Sequence, residues 1–163
     1  MNISAPQAPL AREPRILVLG YGNPGRQDDG LGPAVAAGID LLGLPNITAY
    51  DNYQLNIEDA LEVADHDVVW FVDAAKDGPS PYRVHHLSPA GSIEFTSHIV
   101  RPEVILAIAR QYYGQSPRAF LLAVRGYRFE FVEELTPGAA DNLREALAML
   151  TGEIRAAYST VVP

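Results

Sequence analysis

Short apolar runs separated by polar turns recur along the chain. Residues 15–19 form one such run, 67–72 form the most hydrophobic one, and 119–124 form a third. Runs of this length that are apolar throughout are typical of strands buried on both faces of a parallel sheet. We expect a further strand at 47–51 and an edge strand at 82–87, where polar and apolar residues alternate weakly.

Segments with apolar residues at helical spacing alternate with these runs. The predicted helices lie at 30–42, 56–64, 100–113 and 136–158. Asn56 and Thr136 are expected N-caps, and Pro102 and Pro137 suit the first turn of a helix. Strands that alternate with helices predict an α/β fold, a three-layer, mostly parallel twisted sheet with helices on both faces, as in phosphorylase- and hydrolase-like proteins.

The length bounds the number of domains. A chain of 163 residues with 48% hydrophobic content can bury one substantial core but is short for two. Residues 1–14 contain three prolines and are expected to be a flexible leader, with 15–163 as a single α/β domain. The leader lacks the pattern of a signal peptide, and no run has the roughly 18 apolar residues of a membrane span. We therefore expect a cytoplasmic protein with no membrane partner.

Charge and composition narrow the possible functions. The formal net charge of -8 and the absence of a basic stripe make nucleic acid an unlikely partner, because a phosphate backbone would be repelled. The chain has no cysteine, so thiolate metal sites and a cysteine nucleophile are excluded. Any metal chemistry must therefore use oxygen and imidazole ligands.

A glycine-rich turn follows the first predicted strand. Gly20-Tyr-Gly-Asn-Pro-Gly25 matches the dinucleotide-binding pattern, in which a pyrophosphate lies against backbone N–H groups at a helix start. Asp28 and Asp29 then precede the helix, and their charges would repel a pyrophosphate. The simplest structural role for either carboxylate is a helix N-cap. Because there are two, one can cap while the other is free for chemistry.

Two more residues are placed where an α/β sheet gathers functional groups. Asp73 ends the most hydrophobic strand, at the carboxyl edge where such sheets bind their ligands. A turn-forming role for Asp73 is about equally compatible with the sequence. His98 lies in a polar loop before a helix, where a solvent-exposed histidine is the simpler expectation. Together, Asp29, Asp73 and His98 are brought to one sheet edge by the inferred topology, and this donor set suits nickel, zinc or iron with open coordination positions.

The other histidines are assigned no chemistry. His85 and His86 are neighbours in the predicted edge strand, so they point to opposite faces and cannot share a metal through that strand. His66 precedes a strand and is expected at the surface. No serine nucleophile elbow occurs in the sequence, and a serine-hydrolase mechanism has no support.

These motifs resemble those of the hydrogenase maturation proteases. The segment from Ile16 to Gly32, with Asn23, Asp28 and Asp29 at its polar positions, resembles the family's opening signature. Asp73 in Phe-Val-Asp-Ala-Ala and His98 in Ser-His match the second and third metal-site positions in order and spacing. The resemblance covers roughly residues 15–150, and the three-part pattern is far more specific than any one part.

The resemblance implies an endopeptidase that removes the C-terminal extension of a nickel-containing hydrogenase large-subunit precursor after nickel insertion. The partner would be that precursor, and the metal would be the precursor's nickel or another divalent metal in its place, with no organic cofactor. The resemblance assigns catalysis and metal recognition to Asp29, Asp73 and His98. The residues expected to bind substrate are Asn23, Asp28, Gln54 and Gly126.

One segment departs from the family pattern. Many members have a Gly-Gly-Thr type loop after the second strand, whereas Asp51-Asn-Tyr-Gln-Leu-Asn56 occupies that place here. Gln54-Leu55 and the segment from Gly126 to Glu130 are similar to the subset that serves soluble, NAD-linked multisubunit hydrogenases. The choice of precursor therefore stays open.

Two alternatives from other classes remain. The start of the chain also resembles peptidyl-tRNA hydrolases, which share a strand followed by Gly-x-Gly-Asn-Pro-Gly, but their catalytic histidine motif is absent downstream, and a charge of -8 fits poorly with a tRNA substrate. The second alternative is a non-enzymatic dinucleotide-binding module, in which Asp51 would bind the ribose.

Overall fold

The structure is a computed structural model that describes residues 12–93 and 99–159. Its strands are β1 (Ile16–Tyr21), β2 (Ile47–Asn52), β3 (Val68–Ala75), β4 (Tyr82–Leu87) and β5 (Arg118–Arg125). Its helices are α1 (Leu31–Asp40), α2 (Asp59–Ala64), α3 (Pro102–Tyr113) and α4 (Pro137–Tyr158). A short 3-10 segment, Pro24–Gly30, joins β1 to α1 and is called the 3-10 turn below.

The five strands form one sheet in the order β2-β1-β3-β5-β4. The pairs β1–β2, β1–β3 and β3–β5 are parallel, and only the edge strand β4 runs antiparallel. Gly20 of β1 lies beside Val72 of β3, so the residues that follow them emerge at the same carboxyl edge of the sheet. The predicted edge strand at 82–87 is confirmed.

Alternation along the strands builds two cores, one on each face of the sheet. On one face, Ile16 and Val18 of β1 pack with buried residues of α1 and α4. On the other, Leu17 and Leu19 pack with buried residues of α2 and α3. Helices therefore cover both faces, and the predicted three-layer, mostly parallel α/β architecture is confirmed.

Thr136 is confirmed as an N-cap, whereas neither Asp28 nor Asp29 caps α1, because Gly30 is the N-cap residue of that helix and no side chain caps it. Thr136 Oγ1 accepts the N–H of Ala139 at 3.3 Å, with Pro137 at the first position of α4. Asn56, in contrast, does not cap α2, because that helix begins three residues later, at Asp59. Instead of the Asn56 side chain accepting a backbone N–H of α2, the Asp59 carboxylate accepts the N–H of Asn56 at 2.8 Å. A carboxylate on the helix thus fixes the turn before it.

Two further expectations need correction. His66 was expected at the surface, but it is buried: one ring nitrogen lies 2.6 Å from Glu62 O and the other 3.1 Å from Thr48 Oγ1. Both nitrogens have a partner, which is why the ring is tolerated inside. Arg12, placed in the leader, donates to both carboxylate oxygens of Asp67, at 2.8 and 3.1 Å, so the described end of that segment contacts the domain.

His85 and His86 lie on opposite faces of β4, as predicted, beside Leu121 and Phe120 respectively. The His86 ring packs edge-on against Phe120, with 5.3 Å between ring centroids. Across residues 12–93 and 99–159, no helix combines the length and apolar character needed to cross a membrane.

Candidate functional site

Asp73 is placed at the carboxyl edge of the sheet by the alternation of β3. Val69 and Phe71 point into the core beneath α2 and α3, and Asp73 follows on the same face. The strand was predicted to end at Asp73, but it continues to Ala75 in pairing with β5. The carboxylate accepts the N–H of Ala74 at 2.8 Å, which is the local backbone bond expected of a turn-forming aspartate. The Asp73 side chain is half-buried, so its carboxylate is also partly accessible at the carboxyl edge of the sheet.

Tyr21 reaches Asp73 from the neighbouring strand. It follows Leu17 and Leu19 on the same face of β1, and its hydroxyl interacts electrostatically with the Asp73 carboxylate. Burial, together with the charges of Asp73 and Glu103, raises the pKa of Tyr21 far above its usual value, so the hydroxyl keeps its proton. Sequence reasoning missed Tyr21 and Glu103. The period of two along β1 would have found Tyr21.

Asp29 approaches the same edge from the 3-10 turn. Its Oδ2 accepts the N–H of Asn23 at 2.7 Å, which closes the turn around the carboxylate. Gly22 makes this approach possible: its φ is 140°, and an added Cβ would lie 2.1 Å from Asp29 O. Only glycine fits there. The Asp29 side chain is half-buried.

Asp29 and Asp73, called the carboxylate pair below, interact electrostatically. The pKa of Asp73 is raised to about 7, chiefly by burial and also by the nearby Asp29 charge, against the opposing effect of the hydrogen bond from Ala74. Two interacting carboxylates disfavour the doubly ionised state unless a cation compensates their charges. The arrangement therefore favours either one shared proton or a bound cation.

The third predicted ligand, His98, lies outside the described residues. In the part of the chain that is described, no group of three or more histidine, aspartate or glutamate side chains is placed to hold a metal ion. The structure thus brings two of the three predicted ligands together. In the sequence, His98 lies four positions before Pro102, the first residue of α3, and α3 contributes Glu103 to the electrostatic surroundings of Tyr21.

Asp28 has a very different environment from Asp29. It is fully buried, and its carboxylate accepts four hydrogen bonds: from the N–H groups of Tyr127, Arg128 and Thr136 at 2.7, 3.1 and 2.8 Å, and from Thr136 Oγ1 at 2.8 Å. Burial alone would raise the pKa of Asp28, but these donors outweigh it and hold the pKa below its usual value. We call these four residues the Asp28 cluster. With its oxygens saturated, Asp28 holds residues 126–136 in place and has no acceptor left for a ligand.

The remaining predicted substrate-binding residues are dispersed around the site. Asn23 caps the 3-10 turn, where its side chain accepts the N–H of Gly25 at 2.8 Å. Gln54 is exposed on the loop between β2 and α2. Gly126 is buried, and an added Cβ would lie 2.8 Å from the Asp28 Cβ. Gly126 is therefore needed for close packing beside the Asp28 cluster.

The glycine pattern after β1 is explained by packing. An added Cβ on Gly20 would lie 2.1 Å from Gly32 O, and one on Gly32 would lie 2.5 Å from Tyr21 O and Val72 O. These glycines let α1 lie directly against β1 and β3. Because the 3-10 turn fills the space between strand and helix with its own two aspartates, the pattern here supports the sheet and does not form a pyrophosphate cradle.

Comparison with known proteins agrees with this geometry. No family model matches the sequence, and no curated protein matches it significantly. Solved structures do match. The [NiFe] hydrogenase maturation protease HycI from Thermococcus kodakarensis aligns with a TM-score of 0.66 and 23% identity, over 86% of this chain and 91% of that one. The hydrogenase maturating endopeptidase HybD from E. coli aligns with a TM-score of 0.68 and 22% identity, over 87% and 93%.

A third match is the hydrogenase 2 maturation peptidase from a Thaumarchaeota archaeon, with a TM-score of 0.62 and 20% identity, over 86% of this chain and 97% of that one. The fold implied by the motif resemblance is therefore confirmed: this chain has the fold of the hydrogenase maturation proteases.

Proposed function

We propose that this protein is an endopeptidase that removes the C-terminal extension of a nickel-containing hydrogenase large-subunit precursor. The observation that carries the proposal is the carboxylate pair at the carboxyl edge of a sheet with this family's fold. The structural neighbours named above are maturation proteases, and the motifs around Asp29, Asp73 and His98 resemble the family's signature. Fold, motif and electrostatics support the same activity.

The nickel of the precursor is part of the substrate, and the carboxylate pair is suited to recognise it. Carboxylate oxygens and one imidazole, from Asp29, Asp73 and His98, form a donor set that nickel accepts while keeping other ligands of its own. A cation beside Asp73 removes the repulsion between the two carboxylates and lowers the pKa of Asp73. Recognition is therefore strongest for a precursor that already contains its metal.

The surrounding groups orient the pair. The protonated Tyr21 hydroxyl lies in the electrostatic surroundings of Asp73, and the N–H of Asn23 donates to one oxygen of Asp29. With a pKa near 7, Asp73 is partly protonated at neutral pH when no cation is present, and the nickel of the precursor would displace that proton. Asn23 and Gln54 lie on the two loops that flank this edge and are proposed to contact the precursor.

The direct test is incubation of the purified protein with a nickel-loaded large-subunit precursor, followed by intact-mass analysis. We expect one cut that releases a C-terminal peptide. The same precursor without nickel is the matched control and should stay intact. Cleavage that does not depend on nickel would contradict metal recognition, and no cleavage of any hydrogenase precursor would contradict the proposed function.

A paired substitution tests the third ligand. His98→Ala should abolish cleavage, because it removes the proposed site's only imidazole, while the thermal midpoint should change little. His86→Ala is the control, since His86 lies on the exposed edge strand and should keep activity. If His98→Ala processes the precursor at the parent rate, its assigned role is wrong. A large drop in the midpoint would make His98 a folding residue.

A further inference from the structure

A cleft lies between the 3-10 turn and the segment that precedes and begins α4. It encloses about 670 Å³ between Gln27 and the segment 127–138, and Tyr127, Arg128, Glu134 and Leu135 contribute to its walls. Arg128 belongs to the Asp28 cluster, which fixes that wall to the 3-10 turn. The cleft is therefore preformed, and it is lined by both polar and apolar groups.

Gln27 has an unusual backbone conformation in this wall. Its φ and ψ are 53° and -116°, a backbone conformation that residues other than glycine rarely adopt. The conformation is held from both sides, because Gln27 N–H donates to Val132 O at 2.7 Å and the next N–H, of Asp28, donates to Arg128 O at 3.0 Å. A strained residue that persists under such constraint is often part of a functional site.

The Gln27 side chain also carries an unsatisfied acceptor. Its Oε1 is buried and has no hydrogen-bond donor within the described ranges 12–93 and 99–159. A buried polar atom without a partner costs free energy, so a donor brought by a bound ligand would stabilise it. The terminal torsion of glutamine is soft, and a small rotation would turn the amide toward the cleft.

Exposed apolar side chains lie on the loop that supplies Tyr127 and Arg128 to the cleft. Phe131 is 88% exposed and lies under the Arg26 guanidinium, 5.7 Å from the ring centroid. Val132 and Tyr127 are 43% and 47% exposed on the same loop. A polar floor with an apolar rim is suited to a polypeptide, whose backbone offers N–H donors and whose side chains offer apolar surface.

We propose that this cleft is a subsite for an extended peptide segment of the precursor, in which the Gln27 amide pairs with a backbone group of that segment. The inference rests on the proposed function and identifies where the substrate chain runs. Gln27 is two residues from Asp29, so their Cα atoms lie within about 8 Å of each other. A segment held at Gln27 thus leads directly to the carboxylate pair. Gln27 is a specificity-determining residue in this arrangement.

Two substitutions test the inference. Gln27→Gly removes the amide and relieves the backbone, whereas Gln27→Ala removes the amide and keeps the strain. The matched control is Gln115→Ala, an exposed glutamine three residues before β5 begins, at the opposite edge of the sheet. For each variant we would measure the Kd for nickel-loaded precursor by biolayer interferometry, the KM and kcat of cleavage, and the thermal midpoint.

Both Gln27 variants should bind the precursor about 5- to 10-fold more weakly and raise KM equally, with kcat within about twofold of the parent. The midpoint of Gln27→Gly should be unchanged or higher, and Gln115→Ala should match the parent throughout. A merely structural Gln27 would instead lower both midpoints and leave Kd unchanged, which would overturn the inference. If the parent cleaves the precursor and both Gln27 variants cleave it with the KM of the parent, the proposed subsite is wrong and the protease assignment stands. If the parent neither cleaves nor binds any precursor, both the subsite and the protease assignment are wrong.

Discussion

The Asp28 cluster and the carboxylate pair place neighbouring residues of one turn in opposite environments. Asp28 is fully buried and accepts four hydrogen bonds, so its pKa is held below the usual value. Asp73, paired with Asp29, is only half-buried, yet burial and the Asp29 charge raise its pKa to about 7. The more deeply buried carboxylate is thus the one that ionises more readily.

The difference shows that hydrogen-bond donors, and not burial alone, decide the charge state of these aspartates. Around Asp28, three backbone N–H groups and a hydroxyl replace water completely. Around the carboxylate pair, the backbone N–H groups of Asn23 and Ala74 supply one hydrogen bond to each aspartate. The first arrangement stabilises the fold, and the second keeps negative charge available for a cation or proton.

Removing one member of the carboxylate pair should have the largest effect on function. Asp73→Asn keeps the shape of the side chain but removes the charge, so we expect precursor cleavage to fall by at least about 1000-fold. The free energy of unfolding should not decrease, because a half-buried, repelled charge is lost. Activity is measured by intact mass and stability by urea titration. Near-parent cleavage by Asp73→Asn would remove Asp73 from the site.

Disrupting the Asp28 cluster should chiefly affect stability. In Asp28→Asn, an amide NH₂ must face N–H donors that now bond to carboxylate oxygens, so we expect a loss of about 3 kcal/mol in the free energy of unfolding. For a domain of this size the thermal midpoint should fall by about 6 to 12 °C. The control is Asp65→Asn, which breaks an exposed ion pair with Arg15 and should cost less than about 1 kcal/mol. Equal losses in the two variants would contradict the assigned role of the cluster.

A steric probe should have a smaller effect. In Gly126→Ala the added methyl group would lie 2.8 Å from the Asp28 Cβ and 3.1 Å from Phe129 Cζ, and overpacking of this kind costs about 1 to 3 kcal/mol. Gly152→Ala is the control, because nothing lies within 4 Å of its added Cβ and alanine favours the helix. Calorimetry should show a lower midpoint for the first and an equal or higher one for the second. A Gly126→Ala protein as stable as the parent would show that residues 126–136 can move away from Asp28.

The same two regions show how far the sequence could predict the structure. The strand pattern and the parallel topology place Asp29 and Asp73 at one edge, because those depend on local periodicity and on β1 lying beside β3. The Asp28 cluster could not be predicted, since its donors lie 99 to 108 positions away on a loop with no regular pattern. Local sequence offered Asp28 and Asp29 as equivalent candidates, and long-range hydrogen bonds separated their roles.

The conformation of Gln27 was hidden from the sequence for the same reason. A glutamine at positive φ is disfavoured by local preference, and it is held there by the bonds from Gln27 N–H to Val132 O and from Asp28 N–H to Arg128 O. Tyr21, by contrast, could have been predicted from the sequence, since it continues the inward face of β1. Residues fixed by strand alternation can be read from the sequence, whereas those fixed by loop-to-loop contacts require the fold.

The smallest expected effect is a pH dependence of opposite sign in the two regions, in protein kept metal-free with a chelator. The pKa of Asp73 is raised from 3.8 to about 7, so its contribution to stability is fully present below pH 4 and is lost as the pH rises toward 7. The pKa of Asp28 is lowered, so its contribution is present above pH 4 and is lost as the pH falls through its folded value. Relative to the parent, Asp73→Asn should therefore gain stability between pH 4 and 7, while the deficit of Asp28→Asn should shrink below pH 4. Urea unfolding of the three proteins from pH 3 to 8 measures both trends. Parallel curves for the parent and Asp73→Asn would show that Asp73 titrates normally, and the contrast between the two regions would then lie in hydrogen bonding alone.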